Sequence, residues 1–497
     1  MPDEARRATG WKPVPLLAGP LAMLVVELLA GPHWPQGPML HVASLALWMC
    51  IWWVTEAVPL PVTAMLPFIG FPLTGVMSSA DCAATYFNST VFLFIGGFLM
   101  AFALERWEMH RTIAAAVLRL FGRRPQSLLL GLMLATAFIS MWMSNTAVAI
   151  LMLPVALALC DTAGQQGLRG LAPAVVLGVI YSASIGGLGT PLGSPPNLVF
   201  LQIHAMSFPD SAQPGFLQWM LFCVPLMLAL LLCCWALLAR NFLRHGAAEI
   251  PAELLRSMQL GSRPGREQWT VGLVFCATAL LWLSRAPLGI GALQFSGWGV
   301  LFADGGGRML ADDGTVAVLA ALLLFVLPAG RASGGGGLLR WEDAQRIPWG
   351  IVLLFGGGFA LAEGVIGSGL SHWAGERMLL LAVLPPLLMV VLAYGITTIL
   401  GELASNTAIA QILLPVTAGL AISAGLPPLL LMLPVTLGSS LDFVLPSATP
   451  PNAIGLATGQ IDVRMLVRNG LLMELISTLL VTAAIWLLGG PVLGIRL

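Results

Sequence analysis

The chain has 497 residues, of which 58% are hydrophobic and 9% charged, with a formal net charge of zero. A soluble domain carries charge on roughly a quarter of its residues, so a water-facing surface over this length is excluded. Net neutrality excludes nothing further; the information lies in where the charges sit.

In chain order, residues 1–41 open with a polar stretch containing Arg6, Arg7 and Lys12, followed by an apolar run that includes Leu21–Ala30. No small-residue cleavage site follows that run, so it reads as a first helix that is retained. Apolar runs with their flanks at Val42–Val54, Val91–Leu104, Met220–Leu238, Val271–Leu283, Val316–Leu327 and Leu471–Leu488 are further candidate spans, since about 18 apolar residues suffice for a transmembrane helix. Two other apolar stretches, 126–158 and 384–421, are too long for one span and too short for two, which fits re-entrant helical hairpins. Two segments, Leu188–Asn197 and Val444–Asn452, are rich in proline and lie between apolar runs. Proline interrupts the helical hydrogen-bond ladder, and broken backbone at membrane depth is tolerated only where it is buried in protein or lines a cavity.

Lys12 is the only lysine among 23 basic residues. The arginines cluster at 106–124, 240–266, 331–346 and 464–468, in addition to the N-terminal group. Basic residues accumulate in cytoplasmic loops. Threading about eleven helices from a cytoplasmic N-terminus places every cluster inside and leaves Arg285, Arg308, Arg377 and Arg496 outside. The seven cysteines show no metal-type spacing and read as small apolar residues.

Self-comparison yields an internal repeat. Ser144-Asn145-Thr146-Ala147 recurs as Ser405-Asn406-Thr407-Ala408, an offset of 261 residues. Phe94–Phe98 aligns with Phe355–Phe359, and Leu153-Pro154-Val155 with Leu414-Pro415-Val416, at the same offset. Gly193-Ser194-Pro195-Pro196-Asn197 aligns with Ala448-Thr449-Pro450-Pro451-Asn452 at an offset of 255, a slip that one loop indel accounts for. One unit then covers 42–240 and the other 269–497, joined by a polar cytoplasmic linker, 241–268. The basic stretch before the first motif falls inside and its counterpart outside, so the two units read as inverted. Duplicated inverted halves with discontinuous helices are the signature of a carrier whose site lies near the midplane. Helix N-termini there suit an anion and freed carbonyls suit Na⁺. Ser, Asn and Thr side chains can hold a carboxylate without trapping it, and neither motif contains Arg or Lys.

These blocks, together with Trp52–Pro67 and Met141-Trp142-Met143, resemble the divalent anion/sodium symporters, the dicarboxylate and citrate carriers, over most of the chain from Val42 onward. The resemblance implies an all-α polytopic membrane protein of about eleven transmembrane helices plus two re-entrant hairpins. It implies a homodimer with a scaffold domain and a transport domain moving as an elevator. The expected cargo is a di- or tricarboxylate, with C4-dicarboxylates such as succinate foremost, driven by Na⁺ in a bacterial inner membrane. Neither enzymatic activity, an organic cofactor nor a nucleic-acid partner is expected. By the same resemblance Asn145, Thr146, Asn406 and Thr407 would touch the carboxylates, with Ser194, Pro195, Thr449 and Pro450 nearby. A first Na⁺ would be held by Ser140, Ser144, Asn145 and the Gly193 carbonyl, and a second by the positions of Gly401, Ala404, Asn406 and Ala448.

Two departures stand out. The family has threonine where this chain has Gly401, which removes a hydroxyl ligand, and an uncharged residue where it has Asp442. An acid at membrane depth is a functional candidate: Asp442 would carry a proton or replace the missing cation ligand. The plainer reading is a carboxylate satisfied by nearby hydroxyls and backbone donors. Glu402 reads as a brace for the second hairpin and Glu56 as a helix end. His110 and His372 read as interfacial residues. The Gly186–Gly189 run lacks the Lys-Ser/Thr ending of a phosphate loop. Open alternatives are an exchanger not driven by Na⁺ and a carrier of sulfate or another small inorganic anion. A polytopic enzyme would need clustered acids, histidines or a nucleophile pair, and only isolated acids are found.

Overall fold

The computed structural model describes residues 13–30, 34, 36–121, 124–164, 170–211, 213–243, 265–290, 293–306, 309–330, 335–378 and 383–495. The polar start 1–12 and most of the linker, 244–264, lie outside the described residues. The rest is a helical membrane protein. Each of the seven apolar runs falls in a helix, Ala30 and Leu327 lying one residue past the ends of theirs.

The first half contains α1 (Pro13–Leu29), α2 (Pro38–Thr55), two short helices α3 (Leu60–Thr63) and α4 (Leu66–Thr74), α5 (Ser79–Tyr86), α6 (Ser89–Arg106) and α7 (Met109–Leu120). It continues with α8 (Pro125–Ser140), α9 (Asn145–Gly164), α10 (Leu171–Gly186), α11 (Pro195–Ser207) and α12 (Phe216–Phe242). Next come α13 (Arg266–Arg285), a small antiparallel hairpin of β1 (Leu288–Ile290) and β2 (Leu293–Phe295), and α14 (Asp313–Val326). The chain ends with α15 (Trp341–Ala344), α16 (Trp349–Gly367), α17 (Leu370–Arg377), α18 (Pro386–Gly401), α19 (Asn406–Ala424), α20 (Pro428–Gly438), α21 (Pro450–Ala457) and α22 (Val463–Leu493).

Proline supplies many of the starts, at α2, α8, α11, α18, α20 and α21. Its missing N–H costs nothing in the first helical turn, and its fixed φ suits that position. Six helices among the described residues are long and apolar enough to cross a bilayer, α22 with 31 residues being the longest. Of the helices at the motifs, α9 has 20 residues and α19 has 19, whereas α8 and α18 have 16 each. That is roughly 24 Å of rise, less than the hydrocarbon thickness of about 30 Å.

The core lies around α10, whose residues from Ala174 to Gly186 are all buried. Small residues let backbones approach there, as is usual where lipid removes the hydrophobic drive between helices. A Cβ on Gly186 would strike the backbone of Ala137 on α8, and one on Gly96 of α6 would come within 2.6 Å of the Ala317 Cβ on α14. Leucines such as Leu273, Leu479 and Leu487 are more than two-thirds exposed and form the lipid-facing surface. The amphipathic α7 buries His110, whose imidazole is pushed below its usual pKa chiefly by that burial. His372 instead faces outward beside Glu376, 3.5 Å away.

Candidate functional site

The first Ser-Asn-Thr motif sits where α8 stops and α9 begins. Trp142 in the intervening turn stacks on Phe216 and Trp282, with ring centroids 6.2 and 6.4 Å away, which fixes the turn against α12 and α13. The proline-rich segment between α10 and α11 is tied to it: the Thr190 hydroxyl donates to the Met141 carbonyl. Within that segment Asn197 Nδ2 donates to the carbonyls of Gly187 and Thr190, both at 2.9 Å. Trp219 Nε1 adds a bond to Leu188 O at 2.9 Å. Backbone groups freed by the break are thereby partnered, as burial demands.

The second half repeats part of this pattern. Asn452 Nδ2 donates to Leu445 O at 3.0 Å and Asp442 O at 3.3 Å; all three residues lie 255 positions after Asn197, Thr190 and Gly187. The remaining donors are met by acids. Glu402, at the end of α18, accepts from Val444 N at 2.7 Å and Leu445 N at 2.6 Å. Glu474 of α22 accepts from Phe443 N at 3.2 Å. Glu402 is thus a brace between the second motif and the second break.

Both motifs line one cavity of about 530 Å³. Ser144, Asn145 and Thr146 face it from one half, and Ser405, Asn406 and Thr407 from the other. Gly193, Ser194 and Pro195 join them, as do Ala448, Thr449 and Pro450. All eight residues expected near the carboxylates are therefore brought together. Ser194 Oγ and Ser440 Oγ meet at 3.1 Å, linking the halves directly. Four helices, α9, α11, α19 and α21, begin at this cavity. The positive dipole ends make such starts favourable for an anion, and α9 and α19 add backbone N–H groups that the Pro-Pro starts of α11 and α21 lack. The cavity also receives Phe94, Phe98 and Phe102 from α6 and Arg346 from the stretch before α16. Arg346 is half exposed, donates to Glu105 at 2.7 Å and lies over the Phe102 ring.

A larger cavity of about 900 Å³ lies elsewhere, lined in part by Asp81, Glu363, Asn88 and Gln202. Its two acids, with no basic lining residue among the described residues, disfavour an anion.

Around the Asn145 amide three oxygens converge. The amide position assigned to Oδ1 lies 2.8 Å from Ser140 Oγ, 3.0 Å from the Ala183 carbonyl and 3.2 Å from the Gly193 carbonyl. The oxygen and nitrogen of an amide are assigned from their neighbours. The neighbours favour a nitrogen in that place, which donates to these groups and satisfies them without an ion; an oxygen there would need a positive ion among them. Ser144 Oγ accepts from Ala147 N at 3.2 Å, capping α9, and is itself at the cavity.

The second proposed cation set is different. Gly401 offers no side chain, and Ala404 lies in the turn before Asn406. Neither Gly401 nor Ala404 lines the cavity; Asn406 and Ala448 do. Asp442 is fully buried; Asn406 is its hydrogen-bonding neighbour, and neither carboxylate oxygen accepts from a hydroxyl or a backbone N–H among the described residues. The hydroxyl partners expected from the sequence around it are not what the structure contains: the Ser439 and Ser440 hydroxyls donate to the Thr436 carbonyl instead. Sequence reasoning also missed Ser440, Arg346 and Glu474. Glu474 carried a usable signal, an acid inside the apolar run 471–488. Arg346 was hidden within a loop cluster whose charge is explained by topology alone.

Residues 50–438 match a family model described as citrate transporter. The chain is 34% identical over 494 residues to a sodium-dependent dicarboxylate transporter, SdcS, of Staphylococcus saprophyticus, covering 97% of this chain and 92% of that protein. It is 33% identical over 491 residues to the protein of the same name in Staphylococcus aureus, with the same coverage. Among solved structures, the YdaH transporter of Alcanivorax borkumensis superposes with a TM-score of 0.60 at 14% identity, over 92% of this chain and 100% of that one. MtrF of Neisseria gonorrhoeae superposes with a TM-score of 0.57 at 14% identity, over 93% and 97%. At that identity the two structures speak to fold alone.

Proposed function

Since the chain belongs to the citrate transporter family, among the divalent anion/sodium symporters, and is a membrane transporter rather than an enzyme, we propose that it carries a C4-dicarboxylate such as succinate together with Na⁺. The single observation that carries this reading is the cavity where four helix N-termini and both Ser-Asn-Thr motifs converge. The relatives named as sodium-dependent dicarboxylate transporters support the cargo and the coupling ion. The carboxylates would be held by Asn145, Thr146, Asn406 and Thr407, with Ser194, Pro195, Thr449 and Pro450 at the loops.

A first Na⁺ among Ser140, Ser144, Asn145 and the Gly193 carbonyl would hold the Asn145 oxygen inward and leave its amide N–H₂ free to turn to the substrate. Cation and anion then favour each other's binding, and that coupling is reciprocal. The neutral donors release the cargo once Na⁺ leaves. We place the two halves as inverted repeats with re-entrant hairpins at α8–α9 and α18–α19. A homodimer carries the cavity across a bacterial inner membrane as an elevator, with the N-terminus cytoplasmic. The short α8 and α18 favour hairpins over spans.

Gly401 favours a second reading, exchange of one dicarboxylate for another without Na⁺, because a cation ligand is missing there. Succinate uptake into proteoliposomes, with and without Na⁺ and with and without internal dicarboxylate, separates the two. Na⁺-dependent uptake into empty vesicles supports symport. Uptake only against internal dicarboxylate supports exchange. Sulfate uptake with no transport of any dicarboxylate would overturn the cargo.

A further inference from the structure

Two ion pairs join the end of α6 to the stretch before α16, and their surroundings differ. Arg106 meets Asp343 at 2.5 Å, with the two side chains only 21% and 17% exposed. Trp107 Nε1 adds a bond to the Leu338 carbonyl at 2.9 Å, so helix and loop are fastened there. One residue earlier Glu105 meets Arg346 at 2.7 Å, and this guanidinium is 49% exposed. An ion pair open to water adds little to stability. Holding the loop in place therefore does not account for Arg346.

Arg346 is also the only charged side chain lining the cavity of the two motifs, among the described residues. The rest of that lining is neutral: hydroxyls, amides, helix starts and an apolar wall. The wall is the row Phe94, Phe98 and Phe102, four apart on one face of α6, with successive ring centroids 4.4 and 5.9 Å apart. The guanidinium carbon lies 4.9 Å over the last ring, a favourable seat for a cation. Leu192, beside Gly193 of the first break, packs against Gly97. Phe102 is then only about 8 Å further along α6. A formal positive charge thus stands at one end of a neutral site suited to a dianion, and a carboxylate of the protein occupies it. A guanidinium presents a planar fork matched to a carboxylate, and a charge at the rim of a cleft acts on a charged ligand inside it.

We propose that Arg346 is the charge-recognising residue of the anion site: Glu105 holds it in reserve, and on binding it exchanges that carboxylate for one of the substrate's. This rests on the reading that the cavity binds a dicarboxylate. Glu105 is then a competitor of the substrate, and it keeps the guanidinium from trapping a cargo that must be released.

The test is equilibrium binding of radiolabelled succinate to the purified full-length protein at saturating Na⁺, for Arg346→Gln, Glu105→Gln and both together. Arg346→Gln should weaken binding about two- to fivefold, the worth of a half-exposed charge pair. Glu105→Gln should tighten it by a similar factor, because the guanidinium no longer has a rival. The double variant should match Arg346→Gln, since Glu105 acts only through Arg346. Adding choline chloride at fixed Na⁺ should weaken wild-type binding more than that of Arg346→Gln, because salt screens the missing charge no further. A purely structural pair gives another pattern, in which both single variants shift affinity in the same direction or neither shifts it. Either of those results overturns the proposal and leaves the cavity's cargo intact. Wild-type protein that binds no succinate overturns the reading of the cavity, and this proposal with it. If Arg346→Gln yields no monodisperse protein, Glu105→Gln decides: tighter binding supports the role, and weaker or unchanged binding overturns it.

Discussion

The amide of Asn145 stands where three oxygens converge, and Gly187 stands immediately behind it. A side chain at position 187 would displace the amide, because overpacking a closed site costs about 1–3 kcal/mol. Gly187→Ala is therefore expected to fold but to lose its response to Na⁺, measured as uptake rate against Na⁺ concentration; a wild-type curve would contradict the cation geometry. Asn145→Ala removes an amide that serves cation and carboxylate together. The loss of a hydrogen bond to a charged group is about 1.5–3 kcal/mol, or roughly 10- to 150-fold in apparent succinate affinity at fixed Na⁺. Thr190, which ties the two broken segments together without lining the cavity, is a useful contrast. Its replacement by valine should lower stability more than affinity, read by thermal unfolding beside uptake.

Between elements, the two breaks are held in different ways. Neutral side chains close the first, whereas Glu402 and Glu474 close the second from α18 and α22. Glu402→Gln would leave an oxygen for only one of the N–H groups of Val444 and Leu445 and set an amide N–H₂ against the other. It should lower the unfolding temperature by several degrees and reduce the amount of folded transporter, measured by fluorescence-detected chromatography after heating. Stability equal to wild type would mean the brace is dispensable. The sequence already implied much of this level. Apolar length marked the spans, and proline pairs marked the breaks, because both follow from local backbone chemistry. The repeat alone pairs Asn145 with Asn406. What stayed hidden depends on packing between distant residues. Phe94, Phe98 and Phe102 read as ordinary span residues, and only the fold turns them towards the cavity. The surroundings of Asp442 were equally illegible, since the serines beside it suggested partners and instead donate to their own helix.

For the molecule as a whole, the proposed motion requires the surface carrying Leu192 to slide past α6. A Cβ at Gly97 would come within 2.8 Å of Leu192, so cysteines at these two positions, in a background without the native ones, should cross-link with Hg²⁺. The expected result is arrested uptake that recovers on adding excess thiol; full transport by the cross-linked protein would rule out movement along that contact. The wider claim is that one cavity built from both halves binds a dicarboxylate and Na⁺ interdependently. Equilibrium binding of radiolabelled succinate to the purified protein, titrated across Na⁺ concentrations for wild type and for Asn145→Ala with Asn406→Ala, tests it most directly. The account predicts succinate binding that tightens with Na⁺ in the wild type and is lost in the double variant. Binding that ignores Na⁺, or that survives removal of both asparagines, would contradict it.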